Sequence, residues 1–346
     1  MTTWPAIEQQ PAALGRALDR VRATGSPDAD AAEQALTQVL RPIVGSVWPE
    51  VAWRFGVLTA TGYPVELAWA SRDTALRWTS EVAGPETPEA DRLWRAVALA
   101  ARWAGAEVGG PTVAGSGPLP ARAAPWVAVQ QGHRLRWGAW LGARHLDGTR
   151  RVKVYLELPA GEIAPGPWRE AGSRLASRVP GLTWRMAGIN NDGSVELYAR
   201  ATDLDWASLA AAADLVGDEG RLADVVGELI TRVTAGGSGS GARAGPRRAG
   251  RVVLPRPSGV SLVLAPSGTP VALTWFAIAK HIWAGDAAVR AAVLRTTAAV
   301  ACPPGSRELY QALSSGPDDG RWQHGMVGVG IDRRGGTWLQ AGLRPT

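Results

Sequence analysis

The sequence is poor in the residues from which metal centres and disulfide frameworks are built. Its 346 residues contain one cysteine, Cys302, and four histidines. A single cysteine excludes a disulfide framework and any cysteine-rich zinc or iron–sulfur site. The histidines at positions 133, 145, 281 and 324 show no metal-ligand spacing such as His-x-x-x-His.

Long apolar runs are also missing. No segment of about 18 consecutive apolar residues occurs, and residues 1–10 lack the basic and then apolar pattern of a signal peptide. Hydrophobic residues at 46% and charged residues at 20% are globular values, which excludes wholesale disorder. We therefore expect one soluble, cytoplasmic domain over residues 1–346, with no membrane partner.

Lysine is almost absent, although the chain is basic. Only Lys153 and Lys280 are lysines, so 35 of the 37 basic residues are arginines, and the net charge is +6. This balance suits a nucleic acid or an anionic small molecule. The aromatic residues are skewed as well, with 17 tryptophans against four tyrosines and two phenylalanines. Tryptophans in alternating segments either line a cavity or fill the core.

Pairs of alternating segments recur along the chain, and amphipathic helices separate them. Helices are predicted within residues 1–45, and the Gly/Ser/Arg tract 235–250 is predicted to be a flexible loop rather than an RNA-binding tail. In the clearest strand, Val152, Val154 and Leu156 face one way while Lys153 and Tyr155 face the other. The predicted strand pairs are 51–59 with 63–70, 126–144 with 150–158, 182–189 with 194–200, 260–265 with 271–278, and 324–331 with 337–343.

Five such pairs predict an α+β fold in which ten antiparallel strands close into a barrel of five ββαα units, with the helices outside. Closure removes the exposed edges of a sheet, and a barrel of this strand number is wide enough to hold a ligand. The alternative is an open antiparallel sheet covered on one face by helices.

The polar faces of these strands would line the barrel with cations, a few carboxylates and aromatic rings, His324 among them. Surplus guanidinium groups favour a phosphate or diphosphate ligand. Aromatic rings beside it suit a substrate that develops positive charge on carbon. Together they describe the ionisation of an allylic diphosphate, and because the sequence has no DDxxD or NDxxD motif, basic side chains would hold the diphosphate without a metal.

The segment Gly62-Tyr63-Pro64-Val65-Glu66-Leu67-Ala68-Trp69, followed by Arg77, and the strand Arg151-Val152-Lys153-Val154-Tyr155 resemble aromatic prenyltransferases of the dimethylallyltryptophan-synthase type. The resemblance implies the PT-barrel (ABBA) fold and transfer of a dimethylallyl or geranyl group from its diphosphate to an electron-rich aromatic acceptor. That acceptor would be an indole or tryptophan derivative, free or within a peptide, and neither a metal cofactor nor a nucleic-acid partner would be needed.

The resemblance also implies roles for particular residues. Glu66 would be the catalytic residue that accepts the hydrogen bond of the indole N–H. The residues that bind the diphosphate would be Arg77, Lys153, Tyr155, Arg185, Tyr198 and Arg200. The residues that shield the carbocation and form the acceptor pocket would be Trp140, Phe276, Trp338, Gln340 and Arg136.

The sequence departs from the family pattern in its third unit. There an R-x-K-x-Y motif is replaced by Ser194-x-Glu196-x-Tyr198, so that two cations are missing. Two other functions therefore stay open. One is a catalytically silent PT barrel that binds an aromatic or isoprenoid ligand, and the other is a nucleic-acid-binding protein that uses its arginine excess.

Overall fold

A computed structural model describes residues 9–45, 56–59, 62–105, 119–218, 220–231, 254–315 and 322–344. The α-helices of these ranges are α1 (Gln9–Ala23), α2 (Ala29–Val44), α3 (Glu89–Gly105), α4 (Leu119–Gln130), α5 (Trp168–Arg178), α6 (Trp206–Ala213), α7 (Arg221–Thr231), α8 (Asp286–Thr296) and α9 (Ser306–Leu313). The strands are β1 (Val65–Ala70), β2 (Leu76–Glu81), β3 (Ala139–Leu146), β4 (Thr149–Glu157), β5 (Leu182–Asn190), β6 (Val195–Ala201), β7 (Ser258–Leu264), β8 (Pro270–Ile278), β9 (His324–Asp332) and β10 (Thr337–Leu343).

The ten strands form one closed antiparallel barrel. Each strand pairs with its neighbours in sequence, and β1 pairs with β10 to close the cylinder. This confirms the predicted closed barrel and its antiparallel order. The alternative prediction, an open sheet, is wrong. Closure leaves no unpaired strand edge in the barrel.

Alternation along each strand separates the core from the lumen. In β4, Val152, Val154 and Leu156 are buried against the helices, whereas Lys153 and Tyr155 point inward. The same alternation in the other strands places most of the apolar core in the layer between barrel and helices. The inner face is left to polar, aromatic and glycine residues, as the sequence pattern predicts.

The predicted pairing of residues 51–59 with 63–70 is wrong, although the second of these segments contains strand β1. Residues 51–55 lie outside the described residues, residues 56–59 form a bend, and the first hairpin consists of β1 and β2. The carboxylate of Glu81 accepts hydrogen bonds from the backbone N–H groups of Val57 and Leu58, which removes these groups from strand pairing. The true turn follows β1, where Asp73 Oδ1 accepts the N–H of Ala75 at 3.0 Å. A side chain that bonds its own backbone two residues on makes such a turn without glycine.

The predicted strand 126–144 is also wrong over its first part, because residues 126–130 belong to helix α4 and β3 begins only at Ala139. The buried residues Ala123, Trp126 and Gln130 of this helix are three and four positions apart, which is the spacing of one helical face. Gln130 Nε2 donates to the carbonyls of Gly138 and Glu157, both at 2.9 Å, and so ties α4 to the start of the second hairpin. The predicted loop 235–250 lies outside the described residues.

Candidate active site

A cavity of about 610 Å³ opens at the end of the barrel where the hairpin turns lie. Inward-facing residues of β2, β3, β4 and β6 form its walls, among them Arg77, Arg144, Lys153, Tyr155 and Glu196. Its rim consists of residues in or next to the hairpin turns: Arg72, Asn191, Asp192, Arg333 and Arg334. Seven arginines and lysines and three carboxylates line this cavity, so its surface is cationic.

Lys153 is the centre of a buried polar cluster. Its Nζ atom lies 2.5 Å from Oε2 of Glu196 and donates to the hydroxyl of Tyr198 at 3.3 Å. The second carboxylate oxygen of Glu196 accepts the hydroxyl of Ser261 at 2.6 Å. Burial alone would lower the pKa of Lys153, but the adjacent Glu196 carboxylate raises it. Burial would conversely raise the pKa of Glu196, and Lys153 lowers it, so both groups are ionised at neutral pH.

Two aromatic rings hold the Lys153 ammonium from the sides. Its Nζ atom lies 5.4 Å from the ring centroid of Tyr155 and 5.8 Å from that of Tyr198. The ring of Tyr198 also lies 6.5 Å from that of Phe276, so the three rings follow one another around the wall. Burial raises the pKa of Tyr198 well above its usual value, and its hydroxyl remains protonated. These ring faces are suited to a positively charged group in the lumen.

Glycines on neighbouring strands make room for these side chains. A Cβ atom at Gly188 would lie 2.8 Å from Cδ of Lys153, and one at Gly142 would lie 2.9 Å from Cε2 of Tyr155. Gly259 and Gly330 lie in the same way under the rings of Phe276 and Trp338. The lumen is therefore built from large side chains laid across glycines of the next strand.

Asp73 holds two arginines of the cavity wall in place. Its Oδ2 atom accepts hydrogen bonds from Arg77 at 2.5 Å and from Arg144 at 3.0 Å. Burial would raise the pKa of Asp73, but Arg77 and Arg144 lower it. Burial lowers the pKa of Arg77, which nevertheless remains charged beside Asp73. One carboxylate thus fixes two guanidinium groups, and a net positive charge remains.

Glu66 lies beside this cavity but is not one of its lining residues. Along the register from β1 to β4, Glu66 pairs with Thr79, Thr79 with Gly142, and Gly142 with Lys153, so Glu66 and Lys153 share one row of the lumen. Burial raises the pKa of Glu66 from 4.5 to about 7, partly offset by Arg344. Within the described part of the chain its carboxylate accepts no hydrogen bond, which leaves it able to accept one from a ligand.

Several predicted site residues lie away from the Lys153 cluster. Arg185 and Arg200 are exposed at the opposite end of the barrel from the hairpin turns, and Arg136 is exposed in the loop before β3.

Trp140 is stacked on Trp137 with ring centroids 3.8 Å apart. Trp338 is buried under the guanidinium of Arg72, 4.5 Å above its ring, and Gln340 packs over Gly328.

The prediction that His324 faces the lumen is wrong. Its side chain is fully buried on the outer side of β9, with Nε2 2.7 Å from the hydroxyl of Tyr310 in α9 and Nδ1 2.8 Å from Asp286 in α8. A shift in register near the start of β9 changes the face on which this residue lies.

The arginines in and near the hairpin turns were not predicted as site residues. Arg72 and Asp73 follow β1, Arg144 stands near the end of β3, and Arg333 and Arg334 follow β9. Polar residues in turns resemble an ordinary solvated surface in the sequence. Their position in the turns or beside inward-facing strand positions, at the same end of three hairpins, is the signal that could have identified them.

Among the described residues, no group of three His, Cys, Asp or Glu side chains is arranged as metal ligands would be. No helix in the same part of the chain is both long enough and apolar enough to cross a membrane.

No protein-family model matches the sequence, and no curated protein sequence matches it. Solved structures do match. The chain is similar to 5-dimethylallyltryptophan synthase from Streptomyces coelicolor, with a TM-score of 0.69 and 17% identity over 95% of each chain. It is equally similar to 6-dimethylallyltryptophan synthase from Micromonospora olivasterospora, with a TM-score of 0.69 and 17% identity over 96% of each chain.

A third similar structure is AnaPT from Neosartorya fischeri, with a TM-score of 0.64 and 13% identity over 99% of this chain and 95% of that one. Two of these three proteins are dimethylallyltryptophan synthases, the group that the Glu66 and Lys153 segments resemble. At such identities the likeness establishes the fold. The chain has the PT-barrel fold, as the resemblance implies.

Proposed function

We propose that this protein is an aromatic prenyltransferase. It transfers a dimethylallyl or geranyl group from its diphosphate to an electron-rich aromatic acceptor, which we take to be an indole or tryptophan derivative. The observation that carries this proposal is the cavity of the closed barrel, where arginines, Lys153 and the ring of Tyr155 form the wall and the rings of Tyr198 and Phe276 follow that of Tyr155. Cations suit the leaving diphosphate, and ring faces suit the carbocation that it leaves behind.

The reaction breaks the bond between the allylic carbon and the diphosphate oxygen, which keeps the electron pair. Arg77, Lys153 and the hydroxyls of Tyr155 and Tyr198 stabilise the charge that develops on the diphosphate. The acceptor ring then attacks the allylic carbon, a new carbon–carbon bond forms, and the ring loses a proton. Positioning and electrostatics account for the rate, because no covalent intermediate with the protein is needed.

Glu66 is suited to orient the acceptor and take up its proton. Its carboxylate lies in the lumenal row of Lys153, has a pKa raised by burial to about 7, and is free to accept an N–H. A pKa near neutral pH matches the needs of a general base. The similar structure from Micromonospora olivasterospora is a complex with DMASPP and Trp, which supports the same pair of substrate classes here.

We further propose that the diphosphate is bound without a metal ion. Guanidinium groups bind phosphate oxygens bidentately and carry the positive charge that a magnesium ion would otherwise supply. Arg77 and Arg144 are already held in place by Asp73, so little ordering is required when the diphosphate binds.

A second candidate is a PT barrel that binds its ligand without turning it over. The ion pair between Lys153 and Glu196 favours this alternative, since it engages a cation that the diphosphate would need.

Mass spectrometry of reactions distinguishes the two candidates. Dimethylallyl and geranyl diphosphate are each incubated with tryptophan, tryptophan-containing peptides, other indoles and phenols, with and without EDTA. We expect a prenylated indole and an unchanged rate in EDTA. Binding of the diphosphate without any prenylated product would support the silent barrel. A rate abolished by EDTA would exclude metal-independent binding.

A further inference from the structure

Lys153 already has an anionic partner inside the barrel. The Nζ–Oε2 distance to Glu196 is 2.5 Å, and the hydroxyl of Ser261 fixes the other carboxylate oxygen at 2.6 Å. The register explains this contact. Gly188 stands on β5 between the two residues, opposite Glu196 on one side and Tyr155 on the other, and the Lys153 side chain crosses its Cα to reach Glu196.

This pair makes the inner level of the cavity electrically neutral. The side chains of Lys153 and Glu196 are only about one-fifth and one-eighth exposed, at 20% and 13%. Charges in such a position are screened less than those in bulk water, so a second anion beside Lys153 is repelled by Glu196 as well as attracted by Lys153. A diphosphate that binds there must displace or tolerate the carboxylate.

The cations at the outer rim have no such partner. Among the described residues, the rim residues Arg72, Arg333 and Arg334 form no ion pair, and neither does Arg151 of β4, which we count with the rim arginines from here on. All four line the same cavity. The rim carboxylates are occupied with backbone groups instead. Asp332 accepts the N–H groups of Arg334 and Gly336, and Asp192 accepts the N–H and hydroxyl of Ser194.

We propose that Glu196 is a specificity-determining residue that competes with the diphosphate group for Lys153, so that the rim arginines provide most of the affinity for that group. This inference rests on the proposed function in one respect, namely that the cavity receives a diphosphate. The ligand class is a diphosphate ester or free diphosphate. In either case Lys153 still contacts the phosphate group, but it contributes only the part of its charge that Glu196 leaves uncompensated.

The decisive variant is Glu196→Gln, which removes the negative charge and keeps an oxygen that can accept from Ser261. Because Lys153 is then free to bind phosphate oxygens, we expect the affinity for inorganic diphosphate to rise by about tenfold, the usual scale of one charge-assisted hydrogen bond. Isothermal titration calorimetry measures this. If Glu196 only supports the structure, the same variant binds diphosphate equally well or more weakly, and that result overturns the inference.

A variant lacking both charges provides an independent test. Lys153→Met alone leaves Glu196 uncompensated in the cavity and should weaken binding. Lys153→Met/Glu196→Gln should return to within about threefold of the original affinity, because the pair as a unit contributes little. If Lys153 were a principal diphosphate ligand, the double variant would remain as weak as Lys153→Met. This comparison also covers the case in which Glu196→Gln does not fold.

Two further variants define where the diphosphate binds. Arg151→Gln/Arg334→Gln should weaken binding by about tenfold or more, because two charge-assisted contacts are lost. Glu162→Gln is the matched charge control. It changes the net charge by the same amount as Glu196→Gln, but Glu162 is partly exposed at the other end of β4, beyond Glu157. The affinity of this control variant for diphosphate should therefore not change.

The test is run with inorganic diphosphate and with dimethylallyl thiolodiphosphate, which distinguishes the free anion from the ester. Failure of the inference and failure of the proposed function have different results. If the original protein forms prenylated product but Glu196→Gln binds diphosphate no more tightly, only the competition between Glu196 and diphosphate for Lys153 is refuted. Improved binding of diphosphate without prenylated product from any acceptor refutes only the proposed prenyltransferase activity. No binding of either diphosphate to any variant refutes both.

Discussion

The carboxylate of Glu66 occupies the space into which a side chain at Gly342 of the adjacent strand β10 would project. A Cβ atom at Gly342 would lie 2.6 Å from Oε1 of Glu66, and one at Gly325 would lie equally close to it. Real Cβ atoms do not approach other atoms so closely, so a side chain at either glycine must push the carboxylate away. The position of the proposed catalytic residue therefore depends on two glycines of neighbouring strands.

Gly342→Ala should for this reason impair the reaction more than it impairs the fold. We expect a loss of turnover of about tenfold or more from displacement of the carboxylate, and a destabilisation of about 1–3 kcal/mol from overpacking. Steady-state kinetics and urea unfolding measure the two effects. Gly227→Ala is the control, since a Cβ atom there meets only Trp206 at 3.7 Å and lies within α7. That control should be as stable as the original protein or more so. Equal turnover in both variants would contradict the dependence of Glu66 on Gly342.

The stability of the protein should fall as Glu66 ionises. Burial raises its pKa from 4.5 in the unfolded chain to about 7 in the folded one. Between these values the folded state binds more protons than the unfolded state, so the free energy of unfolding decreases as the pH rises from about 4.5 to about 7 and is then constant with respect to this group. At 1.36 kcal/mol per unit of pKa the total loss is at most about 3 kcal/mol. Urea unfolding at pH 5 and pH 8 should show this loss in the original protein and a much smaller one in Glu66→Gln. Equal pH dependence in both proteins would assign the effect to other groups.

Turnover should require the Glu66 carboxylate in its ionised form. Glu66→Gln cannot accept a proton, and we expect kcat to fall by about a hundredfold or more. Binding of inorganic diphosphate should be unchanged, because Glu66 does not line the cavity that we propose to hold it. In the original protein kcat should rise with pH through about 7, following the raised pKa of Glu66. A Glu66→Gln enzyme that retains full turnover would remove Glu66 from the mechanism.

Strands with a strict alternation could be predicted from the sequence, and segments governed by a side-chain hydrogen bond could not. Val152, Val154 and Leu156 bury one face of β4, so its limits and direction follow from the pattern. The prediction of the first hairpin failed because its turn is made by Asp73 rather than by a glycine pair, and because the Glu81 carboxylate accepts the backbone N–H groups of Val57 and Leu58. Such bonds join residues whose proximity only the fold determines.

The types of side chain in the site could be predicted from the sequence, but the ion-pair partner of each side chain could not. Lys153 and Tyr155 could be assigned to the lumen from their strand, and both line the cavity. The sequence could not say whether Lys153 pairs with Glu157 or with Glu196, because the answer depends on the register of β4, β5 and β6. Glu157 instead accepts backbone N–H groups of residues 136–138. The side-chain partner of a lumenal cation is a property of the barrel rather than of its strand.

A buried chain of hydrogen bonds on the outside of the barrel should stabilise the protein without affecting catalysis. The hydroxyl of Tyr310 lies 2.7 Å from Nε2 of His324, whose Nδ1 lies 2.8 Å from Asp286. Burial raises the pKa of Tyr310 well above its usual value, so the hydroxyl keeps its proton and can donate it to Nε2. Tyr310→Phe leaves that nitrogen without a partner in a side chain that is 0% exposed, which should cost about 1–3 kcal/mol.

Thermal and urea unfolding of a double-mutant cycle tests this contribution. In a His324→Ala background the acceptor is absent, so Tyr310→Phe should cost at most about half as much as it does in the original protein. Turnover per folded molecule should stay within about twofold in Tyr310→Phe, because Tyr310 lies in α9, outside the barrel wall. An equal loss of stability in both backgrounds would show that the Tyr310 hydroxyl does not act through His324. A large loss of turnover at unchanged stability would place this network in the reaction and contradict its assignment to the outer layer.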